Sequence, residues 1–320
     1  MKRAIDKLSA PVLIAFACVY FFWGSTFVAI RFGVQALPPF VIASARPLIA
    51  GPLLLAICAM RGLKLWQSRR EFAMLAVLGV LMLGIGNTGL VWSEQYLSSG
   101  LASLLVAVIP LYVALLEAVL PRGEGLRTRG WLGICVGFIG LIVLLWPGLR
   151  EGMHGQSGQL KGSLVAVTGA FGWAVGSVLS RRAKLKTPVL VAAGWQITFA
   201  GVFNFLLMKL AGEDYHVHFD KQAVLAIAWL VVFGSIVGFS AYVYLLEHVP
   251  VAKVATYAYI NPIVAVVLGA LLLGERLVPI EYVGMAAVLI AVYLVTSSKL
   301  KGAKMGDAEV ADLERLENVS

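Results

Sequence analysis

The sequence predicts an all-α integral membrane protein, ten transmembrane helices arranged as two inverted five-helix repeats. Three observations carry the prediction. Charged residues make up 13% of the 320 positions and hydrophobic residues 60%, whereas soluble domains carry roughly 25% charge, so a water-facing surface cannot be assembled from this chain. The apolar residues fall into ten runs of the length that crosses a bilayer, about 20 residues each. Finally, the first half of the chain returns in the second at an offset near 150.

The runs are 11–36, 39–61, 72–95, 99–121, 129–147, 160–182, 188–211, 222–246, 251–273 and 279–298. Their connections are short. Only 148–159, 212–221 and the acidic tail 299–320 stand out, and none is long enough for a soluble domain, so function resides in the helices and their ends. The basic start, Met1 to Lys7, has the charge of a signal-peptide n-region. The run behind it is too long, however, and carries Trp23 and Arg31 instead of a small-residue cleavage site, which makes it a permanent first span. The chain divides into repeats 1–150 and 151–298 and a tail, 299–320.

The net charge of +9 would suggest nucleic-acid binding in a soluble protein. Here the basic residues sit between the apolar runs, so they report topology and not a nucleic-acid partner. Lys2, Arg3 and Lys7, then Arg61 to Arg70, Arg122 to Arg129, Arg181 to Lys186, and the tail lysines all fall on one side; Arg150, Lys161, Lys209, Lys221 and Arg276 fall on the other. The positive-inside rule places both termini in the cytoplasm, which an even number of spans satisfies.

Phe21, Trp23 and Arg31 recur as Phe171, Trp173 and Arg181. Gly123-Glu124-x-Leu126 recurs as Gly274-Glu275-x-Leu277, Gly86 as Gly238, and Pro110 as Pro262. Five helices per unit is an odd number, so the second unit enters the membrane upside down. Inverted repeats of this kind mark alternating-access transporters, with a site near the midplane between the halves.

Several residues are candidates for such a site. Arg46 lies inside the second span; an intramembrane charge is costly and marks function by default. It either binds a substrate carboxylate or pairs with Glu94 or Glu117, or snorkels to the interface. Helix four carries Ser103, Ala107, Pro110, Ala114 and Glu117 on one face, either a packing stripe or a cavity wall whose backbone Pro110 loosens. Helix nine carries Lys253, Tyr257, Asn261 and Ala265 at steps of four, and Asn261 in lipid needs a partner. Trp23 and Trp173, equivalent by the repeat, either line a cavity or pack in the core. Thr26, Asn87, Ser177, Gln196 and Tyr242 add polar atoms within the spans. Glu94 and Glu117 are the candidates for coupling or gating, Glu117 toward the cytoplasmic end. Gly133-x-x-x-Gly137, Gly172-x-x-x-Gly176 and Gly234-x-x-x-Gly238 read as packing faces.

Other chemistries find no support. Cys18, Cys58 and Cys135 lie in apolar runs without metal-ligand spacing. Asp214, His216, His218 and Asp220 share one loop, but an HxH alone reads better as a solvated loop than as a metal site. There is no GxxxxGK[ST], GxSxG, HExxH or CxxC motif. A membrane enzyme would need clustered His, Asp or Glu near one interface, and the four His are scattered; a purely structural subunit leaves the polar stripes and the inverted repeat unaccounted for.

At Phe22-Trp23-Gly24-Ser25-Thr26-Phe27 with Arg31, Ala45-Arg46-Pro47, Ser98-x-Gly100-x-Ala102 leading to Pro110, Tyr259-x-Asn261-Pro262 and Leu273-Gly274-Glu275-Arg276-Leu277, the chain resembles the drug/metabolite transporter superfamily. The match is to its EamA-type branch with two EamA repeats. The resemblance implies ten helices, cytoplasmic termini, a bacterial inner-membrane location, and export of amino acids, related metabolites or drugs as small-molecule substrates. It implies no cofactor, and leaves monomer and homodimer open. Pro121-Arg122-Gly123-Glu124-Gly125-Leu126 departs from the Leu-Gly-Glu-Arg of many relatives.

Overall fold

The bilayer leaves a chain one economical choice, since every backbone N–H and C=O must be bonded internally, and long apolar runs therefore become helices. The computed structural model describes residues 9–121, 125–155, 157–213, 219–249, 254 and 256–317, the side chains of 243, 246, 247 and 299–317 excepted. Among these residues nine helices are long and apolar enough to span a membrane, and a tenth apolar helix has 17 residues. In chain order they are α1 (Ala10–Val34), α2 (Pro39–Met60), α3 (Arg69–Ser93), α4 (Ser99–Val119), α5 (Thr128–Met153), α6 (Gly158–Ala183), α7 (Val189–Leu210), α8 (Lys221–Tyr242, running on to His248), α9 (Tyr257–Leu273) and α10 (Pro279–Glu317, its spanning part Pro279–Ser298).

Local chemistry explains the helix starts. Ser68, Ser98 and Asp220 each accept a backbone N–H of the first turn, at the heads of α3, α4 and α8. Helix α2 begins after Pro38 without a side-chain cap of its own. Its orphan Phe40 N–H donates instead to Glu213 Oε2, 2.8 Å away beyond the end of α7. Burial pushes the Glu213 carboxyl above the ordinary carboxylate range, against the pull of that hydrogen bond. Helix α5 differs from expectation: it continues past Pro147 to Met153. A proline near a helix end forfeits a single backbone bond, and the last turns are held against α6, where a Cβ on Gly148 would lie 3.0 Å from Leu160 N. The tail helix continues to Glu317 without a break.

The halves do not form separate bodies. The most extensive helix pairings are α2 with α7, α5 with α10, and α3 with α6, and each joins one half to the other, as do α1 with α8 and α9, and α4 with α9. Small residues permit the approach. Gly133 and Gly137 face Val295, Leu294 and Ala291 of α10, and Gly172 and Gly176 face Ile85, Leu81 and Met82 of α3, the packing faces expected of those pairs.

The inverted repeat extends to the hydrogen-bond pattern. Val80–Asn87 in α3 and Leu230–Val237 in α8 are both eight-residue π-helical segments, at equivalent positions of the two halves. Ser235 Oγ in the second donates to Leu230 O, five residues back, at 3.1 Å, and Thr88 Oγ1, just past the first, lies 3.3 Å from Leu83 O and 2.9 Å from Asn204 Oδ1. π segments loosen the backbone ladder and frequently sit at functional sites. Helix α1 has a third, Val19–Trp23. Helix α4 breaks at Ala107 and Val108, where Pro110 follows, into Ser99–Val106 and Ile109–Val119.

Candidate functional site

The sequence-derived candidates separate into two pseudo-equivalent clusters, one on each π segment. At α8, the Trp23 indole N–H donates to Gly234 O at 3.1 Å. Its ring lies 5.1 Å from both Tyr242 and Tyr257, edge-on to the latter. Arg46 Nε donates to Ser235 Oγ at 3.1 Å, and a Cβ on Gly234 would meet Thr26 Cγ2 at 2.8 Å and Arg46 Nη2 at 3.3 Å. Gly234-x-x-x-Gly238 is therefore more than a packing face: its missing side chains admit Trp23, Thr26 and Arg46. Thr26 Oγ1 is itself spent on Trp23 O at 2.6 Å.

At α3, Trp173 packs on Gly86 as Trp23 packs on Gly238. Gln196 stands 150 residues after Arg46, in the same register of α7, and its backbone lies against Gly79. Asn87 closes this π segment, half-buried. Ser177 Oγ returns to Trp173 O at 2.8 Å. The structure thus brings Trp23, Thr26, Arg46 and Tyr257 together, sets Trp173, Ser177, Asn87 and Gln196 along α3 and the helices packed on it without a described side-chain contact of Gln196 or Asn87 to the others, and describes no ring contact between the two tryptophans. Asn261 packs by its backbone against Gly24 of α1, and its Oδ1 is buried without a hydrogen-bond partner. On the α4 stripe, Ser103, Ala107, Ala114 and Glu117 are buried and Pro110 half-buried.

Each end of the bundle carries an ionic contact. At one end Arg31 donates to the backbone carbonyls of Glu94 and Gln95, the latter at 3.2 Å. It also faces Glu275 Oε1 at 3.7 Å. The Glu275 carboxylate accepts Ser99 N at 3.0 Å and Ser99 Oγ at 2.5 Å, and so caps α4 of the first half from the turn that follows α9 of the second. Beside it the Glu94 side chain is fully buried, and neither carboxylate oxygen has a hydrogen-bond partner. At the other end Glu117 Oε2 accepts from Arg182 Nη2 at 3.1 Å, with Arg181 at 4.0 Å from Oε1. Neither glutamate pairs with Arg46, which removes that alternative for Arg46.

Glu275 and Ser235 were not among the sequence-derived site residues. The Gly-Glu-x-Leu repeat contained a signal for Glu275; nothing local marked Ser235. The repeat partner Glu124, together with Lys253, Asp214, His216 and His218, lies outside the described residues, and Asp220 caps α8. A groove of about 400 Å³ also lies between α1, α8 and α9, apolar except for Ser25 and bounded by the exposed Phe21, Leu225 and Leu272. The Ser25 hydroxyl in it accepts from Trp229 Nε1 at 3.0 Å.

Interleaved inverted halves, unwound helix segments lined by aromatic and polar side chains inside the membrane, and an ionic contact at each end together define a membrane transporter. The chain belongs to the EamA-like transporter family, which matches it twice, over residues 10–146 and 160–297. It is 37% identical over 293 residues to the uncharacterized inner membrane transporter YedA of Escherichia coli K12, covering 90% of this chain and 92% of that one. It is 24% identical to a probable amino-acid metabolite efflux pump of Salmonella typhimurium, over 85% of this chain and 90% of the other. A crystal structure with a TM-score of 0.62 and 22% identity, covering 91% of this chain and 98% of its own, shares the fold.

Proposed function

We propose that this chain is a secondary transporter of the bacterial inner membrane that exports small metabolites, amino acids and related compounds or drugs, by alternating access. The observation that carries the reading is the pair of equivalent π segments, each packed against a tryptophan of the opposite half. Two symmetry-related weak points in one bundle are what exchange of two inverted states requires. Because the halves interleave, the units that move are mixed sets, α3 with α4 and α6, and α8 with α9 and α1, instead of residues 1–150 against 151–298. The basic residues put both termini and the tail 299–320 in the cytoplasm, so the Arg31 end faces outward and the Glu117 end inward. Export is supported by the names of the relatives and by nothing geometric. The protein works without catalysis or cofactor, as a monomer or a homodimer.

In this reading Trp23, Thr26, Arg46, Tyr257, Pro110 and Asn261 contact substrate in one set, and Asn87, Trp173, Ser177 and Gln196 in the other. The test is efflux from cells loaded with labelled dipeptides, amino acids or dyes. The wild type accelerates export of at least one solute, and Arg46→Ala removes that export with the protein still in the membrane. A wild type that moves no solute of any class sinks the transporter reading.

Glu117 is engaged by Arg182 and acts as a gate; Glu94, without a donor, is the residue that takes up a coupling proton. Glu94→Gln is expected to leave downhill efflux within about twofold while abolishing acceleration by an imposed pH gradient, since an amide keeps the shape and cannot exchange the proton. Gradient-driven flux equal to wild type in Glu94→Gln reconstituted in vesicles rules Glu94 out.

A further inference from the structure

Among the described residues Arg46, eight residues into the spanning helix α2, has no counter-charge. Arg46 sits between a buried face of α2, carrying Ile42, Ala43 and Ala50, and the exposed Ile49. Among the described residues no carboxylate comes within ion-pair distance of it, and both candidate glutamates are accounted for at the two ends. Its one described hydrogen bond uses Nε. The acceptor, Ser235 Oγ, passes its own proton to Leu230 O, so the serine is committed in both directions and holds the guanidinium by a single edge. The Nη1–Nη2 edge makes no hydrogen bond described in the structure.

A guanidinium edge of two parallel N–H groups matches the two oxygens of a carboxylate, a fit that an ammonium lacks. Arg46 is half-buried within a spanning helix, where a cation without a counter-charge is costly; a ligand bringing the opposite charge relieves that cost, whereas a second cation adds to it. The inverted repeat supplies an internal comparison. The equivalent position in α7 is Gln196, a neutral amide. The same helix register thus carries a full charge in one half and a neutral amide in the other, so the register that the halves share does not by itself require the charge.

We propose that the free edge of Arg46, held in place by Ser235, anchors a carboxylate of the transported molecule, so that the cargo is an organic anion or zwitterion and organic cations are refused. The proposal deepens the transporter reading and rests on it only for the word cargo. Trp23, tilted against Tyr242 and edge-on to Tyr257 beside the anchor, offers its aromatic surface to an apolar part of the same molecule.

The test compares isosteric probes on purified wild-type protein in nanodiscs, with binding read by calorimetry. Leucine and N-acetyl-leucine carry the carboxylate; leucinamide keeps the side chain and loses it; tetraphenylphosphonium is a pure cation. Either carboxylate probe is expected to bind about 10- to 100-fold more tightly than leucinamide, the loss of hydrogen bonds to a charged group, and tetraphenylphosphonium is not bound. Arg46→Gln, which copies Gln196, removes the discrimination, and Arg46→Lys recovers only part of it. Equal binding of leucine and leucinamide, preference for the cation, or no binding of either carboxylate overturns the proposal. The comparison on the wild type stands even if the Arg46 variants fold poorly. The two readings fail separately: vesicle flux of a cation alone sinks the anion anchor and leaves the transporter, and absence of flux for every probe sinks the transporter.

Discussion

Glu275→Ala is expected to open the Arg31 end of the bundle about 100-fold more often than in the wild type. The carboxylate receives Ser99 N at 3.0 Å and Ser99 Oγ at 2.5 Å and faces Arg31 at 3.7 Å. Alanine removes all three contacts at once, leaving the first turn of α4 uncapped from this side and Arg31 with only the carbonyls of Glu94 and Gln95. Hydrogen bonds to charged groups contribute about 1.5–3 kcal/mol, and about 1.4 kcal/mol is a factor of ten in an equilibrium, so a loss near 3 kcal/mol sets the expected shift. The measurement is maleimide labelling of Ser103→Cys, a buried position on α4 behind the contact, in a background from which Cys18, Cys58 and Cys135 have been removed. Labelling with an impermeant reagent in whole cells rises in Glu275→Ala and rises less in Glu275→Gln, which keeps one acceptor. An unchanged rate in both variants refutes the role of this contact as a gate, and labelling seen only in inverted vesicles reverses the assigned orientation.

Gly79→Ala is expected to destabilise the bundle by about 1–3 kcal/mol, the range for overpacking a closed interior. A Cβ at Gly79 would fall inside van der Waals contact with the Gln196 carbonyl oxygen and lie 3.0 Å from its Cα. Those are backbone atoms, so no rotamer change relieves the clash, and α3 must move away from α7 just below the π segment. The unfolding temperature of the purified protein in detergent falls clearly below that of Gly125→Ala, a position where an added Cβ meets nothing within 4 Å. Equal melting temperatures for the two variants contradict the close α3–α7 approach.

The parts of this protein that were legible in one dimension are those the bilayer dictates. Ten apolar runs became ten helices because an unbonded backbone is intolerable in hydrocarbon, and the repeat of Phe21, Trp23 and Arg31 as Phe171, Trp173 and Arg181 announced inversion because five is odd. Pro110 correctly marked a loosened α4. The fifth run, 129–147, stopped six residues short of the end of α5 at Met153, since a proline close to a helix terminus costs a single hydrogen bond and neighbouring packing absorbs it. The candidate list was silent on grouping. It held Arg46 and Gln196 without their equivalence, and it paired Trp23 with Trp173 by the repeat without indicating that Trp23 packs on α8 and Trp173 on α3.

By itself the sequence determined the environment, the number of spans, the inverted duplication and the polar residues held inside the membrane, because hydrophobic length and self-similarity are properties of a linear string. Only the tertiary structure decided that the halves interleave, that Arg46 meets Ser235 and, among the described residues, no glutamate, that Glu275 closes one end on Ser99 and Arg31, and that the π segments of α3 and α8 correspond. The Glu275–Ser99 and Arg46–Ser235 pairings join residues 176 and 189 positions apart, and Glu275 reaches further still, to Arg31. They depend on how each helix is rotated and which neighbour it meets, and a spacing rule along one helix carries no information about either.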